Sequence, residues 1–118
     1  MESILTSIKK IIGISEEYEH FDPDIIMHIN SVFVDLNLLG VGPETVFSIS
    51  DKSQMWSDFL ENEGIIQKVK PFMAHKVKLA FDNSTMSSAS IEALQRIIDK
   101  DEWLLNVAVD PRRKDDGE

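Results

Sequence analysis

Cysteine is absent from this 118-residue chain. Its absence excludes disulfide frameworks and thiol catalysis, and suits a reducing cytoplasm. Long apolar stretches are missing too, none approaching the ~18 residues a membrane span needs. The N-terminal MESILTSIKK lacks the leading basic segment, long apolar core and small-residue cleavage site of a signal peptide. Positive charge is scarce: 12 Lys and Arg stand against 21 Asp and Glu, a formal net charge of -9, with a pI near 4.7. Sequence-independent DNA affinity comes from lysines and arginines that displace counterions, so this balance argues against it. Basic residues gather only at 68–78 and 112–114, without the interleaved aromatics of a stacking platform. The four lysines of 68–78 are spread around their helix and read as a solvated face.

Motifs for chemistry are also lacking. There is no Gly-rich phosphate loop, no paired metal histidines and no Ser-centred elbow. The best metal candidate is Asp24 with His28, one helical turn apart, and two ligands on a polar flank do not make a site. His20 and His75 have no carboxylate or nucleophile nearby in sequence and read as surface or packing residues. The expectation is no catalytic, metal or cofactor site.

What is present is a helical pattern. A content of 42% hydrophobic and 28% charged residues fits one soluble globular domain with a real core. Apolar periodicity predicts an all-α protein: a small bundle of four main helices at about 2–12, 23–39, 65–81 and 88–107. A short helical segment near 52–61 and an extended loop at 41–50 complete it. Residues 1–118 read as a single helical domain, with 111–118 a charged tail expected to be disordered in isolation. Ile4, Leu5, Ile8, Ile11 and Ile12 form the face of the first helix, and Gly13 closes it. In the short segment Met55, Trp56, Phe59 and Leu60 share a side, so Trp56 is expected in the core. In the third main helix Ile66, Val69, Met73, Val77 and Ala80 point inward, and Pro71 predicts a bend or restart near Lys70.

The most informative stretch is 21–43, FDPDIIMHINSVFVDLNLLGVGP. Asp22 is placed to cap a helix, Pro23 suits its first position and Asp24 sits at the positive end of the dipole. Ile25, Ile29, Val32, Leu36 and Leu39 form a wide apolar stripe, flanked by Ile26 and Phe33. Gly40, Gly42 and Pro43 end the helix. Met27, Val34 and Leu38 fall on the opposite side, separated from the first stripe by Asp24, His28, Ser31 and Asp35 along one flank and by Asn30 and Asn37 along the other. A helix with two apolar sides is either central in a bundle or meets another subunit.

The last helix adds two anomalies. Its main stripe is Ile91, Leu94, Ile97, Ile98, Leu104 and Leu105, and Asp101 falls in the middle of it. A buried, unpaired carboxylate is costly, so the stripe opens to solvent there, or Asp101 has a hydrogen-bonding partner, or it makes a contact only in an assembly. Trp103 lies on the charged side with Glu92, Arg96 and Asp99, and Val107 follows one turn later. An exposed tryptophan beside a second apolar residue is an interface candidate. The alternative is packing under the C-terminal segment.

In order along the chain, ILTSIKKIIGI (4–14), residues 21–43, FSISDKSQMWSDFL (47–60), VKPFMAHKVKLAFD (69–82) and EWLLNV (102–107) resemble the small head–tail connector, or adaptor, proteins of tailed bacteriophages. The DII-x-HINS core at 24–31, then LGVGP at 39–43 and WSDF at 56–59, is the more specific part. The chain departs from that pattern after Phe81-Asp82, where Asn83 and Ser84 stand in place of prolines. The resemblance implies a small α-helical virion protein without catalysis or cofactor. Such proteins form a ring of about a dozen copies beneath the portal protein, extend the DNA channel and dock a tail-completion or stopper protein. It implies location at the neck of the virion, and in the host cytoplasm during assembly. Under this reading the expected interface residues are Met27, Val34, Leu38, Trp103, Val107, Val109 and Asp110. A small acidic regulatory or inhibitory protein that binds one partner through a helical face is the competing reading.

Overall fold

A computed structural model describes residues 2–109. Its helices are α1 (Ile4–Ile11), α2 (Asp22–Leu38), α3 (Trp56–Phe59), α4 (Glu63–Asp82) and α5 (Ser88–Val109), with a single 3-10 turn at Asn83–Thr85. The all-α expectation holds, and among the described residues the sole β contact is an isolated antiparallel bridge between Ser3 and Met55. The flanking backbone extends that bridge: the Ile4 amide donates to Gln54 O (3.0 Å) and the Trp56 amide to Glu2 O (3.1 Å). The N-terminus is thereby tied to the segment leading into α3.

The central element is α4, which packs against α1, α2 and α5. Asn62 caps it, its side chain accepting from the Ile65 amide at 3.1 Å. Ile66, Val69, Phe72, Met73, Ala74 and Val77 are buried, an arc wider than one stripe because neighbours lie on several sides. Ala80, expected inside, is exposed. The helix does not restart at Pro71: it is one α-helix from Glu63 to Asp82. Proline removes one backbone hydrogen bond and crowds the carbonyl one turn back, and Val69, Phe72 and Met73 are buried around it.

Two other expectations shift at helix starts. Asp22 lies inside the first turn of α2 rather than at its cap, with Phe21 preceding it. The Asp22 carboxylate instead faces the ammonium of Lys9 at 2.8 Å, Lys9 being 2% exposed. Lys9 Nζ also donates to Glu16 O (3.1 Å) and Tyr18 O (2.8 Å). The acidic connection between α1 and α2 is therefore wrapped around one buried cation. The short helix begins at Trp56, not near residue 52. Asp58 accepts from the Met55 amide at 2.8 Å to start it. Asp51 is used earlier, in a turn where the Ser53 hydroxyl and amide donate to its carboxylate and hold its pKa below the ordinary value.

The C-terminal end of α2 is closed by a paired hydrogen-bond motif. Gly40, at φ 82°, donates to Asn37 O (3.0 Å), and Val41 donates to Leu36 O (2.9 Å), the 5→2 and 6→1 bonds of a glycine-terminated helix. Val41 is buried there. Gly42 also has positive φ, 97°, and a Cβ on it would run into the Phe59 ring, whereas a Cβ on Gly40 would meet nothing within 4 Å. Gly40→Ala should cost about 1–2 kcal/mol, the left-handed backbone penalty alone. Gly42→Ala should cost distinctly more, which paired chemical denaturation curves will read.

Asn30 and Asn37, on one flank of α2, hold the extended loop. The Asn30 amide donates to Ile49 O (3.0 Å) and accepts from the Ile49 amide (2.8 Å). Asn37 donates to Glu44 O at 3.0 Å. Phe47 reaches back from the loop to Phe33 and Phe59, with ring centroids 5.1 and 5.5 Å away. Asn30→Ala leaves both polar groups of Ile49 without their partners and should lower unfolding stability by about 1–3 kcal/mol, measurable as a shifted urea midpoint with unchanged helicity. The core expectation for Trp56 holds: it is buried, and its indole N–H donates to the Ser7 hydroxyl at 2.7 Å.

Candidate assembly surfaces

The first surface is the outer side of α2. Its inner side, Ile25, Ile29, Val32, Phe33 and Leu36, is buried. Met27, Val34 and Leu38, at spacings of seven and four residues, share the opposite side of the helix. They are exposed by 58%, 47% and 80%. Among the described residues no helix covers them, so no second helix packs on this side of α2 there, as the central-helix explanation would require. On one flank Asp35 is bound to Lys76 of α4 at 2.6 Å. Leu38 lines a shallow groove with Asp35, Leu39, Lys76 and Glu102 of α5.

The second surface is the outer side of α5. Leu94, Ile98 and Leu105 are buried, but Ile97 and Leu104, expected in the same stripe, are exposed at 46% and 37%. The predicted stripe spans more of the helix circumference than α4 covers, so one edge is left out. Trp103 is 61% exposed. Val107 is half-buried. Val109 is half-buried as well and, with Ala108, Gly40, Val41, Gly42, Leu60, Asn62 and Ile65, lines a cleft of about 240 Å³ at the C-terminal end of α2. Asp110 and the 111–118 tail lie outside the described residues.

Charge on α5 is segregated. Glu92, Asp99 and Glu102 lie along one edge of the exposed side. Arg96 and Lys100 lie along the other, beside Ile97 and Leu104, with Trp103 between the two edges. Sequence reasoning singled out Trp103 and missed the exposed Ile97–Leu104 edge. The signal was present in the width of the stripe, which is broader than one helix–helix contact needs.

Asp101, the other anomaly, has a partner in the same chain. Its carboxylate meets His75 Nδ1 at 2.7 Å, joining α5 to α4. The contact spans 26 positions, which is why no carboxylate partner for His75 is evident nearby in sequence. Of the basic residues at 68–78, Lys70 pairs with Glu2, Lys76 with Asp35 and Lys78 with Asp82. Among the described residues, no group of three or more His, Asp or Glu side chains is placed to hold a metal ion, and no helix is long and apolar enough to cross a membrane.

Among the described residues, the helical fold thus leaves two apolar faces uncovered, on two different helices. A family model described as phage connector protein matches residues 4–112. The chain belongs to that family and is a structural connector protein of a bacteriophage. Comparison with curated proteins and with solved structures returned no match.

Proposed function

We propose that this chain is the head–tail adaptor of its phage. It assembles as a ring of about a dozen copies beneath the portal protein, extends the DNA channel and docks the tail-completion or stopper protein. Family membership over 4–112 carries the reading, and the uncovered α2 and α5 faces support it. A ring of identical subunits in head-to-tail contact requires two different surfaces on each copy. Met27, Val34 and Leu38 on one side, and Trp103, Val107, Val109 and Asp110 on the other, are the residues assigned to these contacts. The protein acts as one folded unit, without catalysis, cofactor or metal. The net charge of -9 suits a channel through which DNA slides without being held. The site of action is the virion neck, reached from the host cytoplasm during assembly.

The test is co-sedimentation of the purified protein with the assembled portal encoded by the same genome. Co-migration at ring-like stoichiometry is the expected result. A well-folded protein that never co-migrates would overturn the adaptor reading and favour a regulatory protein with one partner.

A further inference from the structure

We infer that the two uncovered faces are complementary to each other: the Met27–Val34–Leu38 face of α2 in one copy seats on the Ile97–Leu104 edge of α5 in the next. The inference rests on the connector reading, since the occupant it assigns is a second copy of this chain.

Spacing is the first argument. Met27 to Val34 and Ile97 to Leu104 are both seven-residue steps, about 10.5 Å along a helix. Two helices with the same apolar repeat can interdigitate over successive turns. Size is the second. Leu38 is 80% exposed, and the α5 edge begins with exposed Ala93 one turn before Ile97, a small residue opposite which a large side chain fits.

Charge decides between the possible pairings. Arg96 and Lys100 border the α5 edge, and among the described residues neither has a carboxylate within ion-pairing distance. Asp24 and Asp35 border the α2 face, and Asp24 likewise lacks a cation partner among the described residues. Pairing α2 with α2 brings aspartates together, and pairing α5 with α5 brings Arg96 and Lys100 together. Of the pairings that juxtapose these borders, α2 against α5 is the one that sets opposite charges face to face, Arg96 and Lys100 against the unpaired Asp24, which is what selects a register and rejects the wrong partner. The contact is then heterologous, and repetition propagates it from copy to copy.

The cysteine-free sequence makes the test direct. Full-length single-cysteine variants Met27→Cys, Val34→Cys, Ile97→Cys and Leu104→Cys change only exposed positions. Each α2 variant is mixed with each α5 variant on the portal, then treated with a short bismaleimide crosslinker whose span absorbs an error of one turn in register. The expected result is covalent dimers from at least one mixed pair, at ten-fold or more the yield of any variant alone. Equal or greater dimer yield from a single variant would mean a face pairing with itself and would overturn the inference. Absence of dimers from all four mixtures while the protein remains portal-bound would overturn it too and leave the ring reading intact. Failure of the unmodified protein to co-sediment with the portal would bring down the ring reading and this inference with it, and that control separates the two failures.

Discussion

Lys9→Ala should lower folding stability by about 3–5 kcal/mol, the cost of breaking a buried ion pair from one side. That is a large part of the ~5–15 kcal/mol a domain possesses. Lys9 is 2% exposed, and its ammonium holds Glu16 O, Tyr18 O and the Asp22 carboxylate. Asp22 Oδ1 is fully buried, and Lys9 is the partner it has there, in ion-pair rather than hydrogen-bonding alignment. Alanine removes the cation and the apolar stem together. Lys9→Met restores most of the stem and should recover about 2 kcal/mol, at ~0.8 per methylene. Asp22→Asn, which keeps an oxygen facing the ammonium, should be the mildest of the three. Urea midpoints in that order would establish that the cation organises the α1–α2 connection. A Lys9→Met protein as stable as the unmodified chain would show that the pair contributes no net stability.

Lys9 also marks where sequence reading ran out. Helix existence and type were legible because apolar spacing near 3.6 residues is a local signal: α1, α2, α4 and α5 were all placed within a few residues of their ends. The inner stripe of α2 was legible for the same reason, and so was its outer stripe. Contacts between segments distant in sequence were not. Nothing in SIKKII says that Lys9 rather than Lys10 turns inward, because that depends on where the α1–α2 connection places its carbonyls. Asn30 and Asn37 could be read only as a polar flank until the loop supplied their partners, Ile49 for Asn30, 19 positions on, and Glu44 for Asn37. Asp101 was legible as an anomaly, and His75 as its solution was not. At Pro71 the proline predicted a bend or a restart, and the helix runs on without a restart, as tertiary burial can override propensity. Ile97 and Leu104 show the converse limit: periodicity gives the apolar side of a helix but not how much of it a single chain can cover.

The two tryptophans offer the sharpest separation of folding from assembly. Trp103→Ala should leave unfolding stability within about 0.5 kcal/mol, as expected for a surface position. In assembly it should cost about 2–4 kcal/mol per contact if Trp103 is an anchor, a roughly 30- to 1,000-fold loss of affinity. Trp56→Ala should do the reverse at the level of the single chain. It empties a buried ring site and removes the donor to Ser7, for a loss of about 3–5 kcal/mol in folding. Fluorescence can follow the contact itself. In a Trp56→Phe background the remaining emission comes from Trp103, which is 61% exposed in the free chain and should shift to shorter wavelength when portal is added. Emission that does not move, with Trp103→Ala still co-sedimenting at full stoichiometry, would remove Trp103 from the interface and leave the α2 face and the Ile97–Leu104 edge to carry the contact. The physical reason to expect the shift is the cost of the free state: Trp103, the one aromatic side chain of α5, is 61% exposed among the described residues, and a partner that dehydrates it gains apolar area.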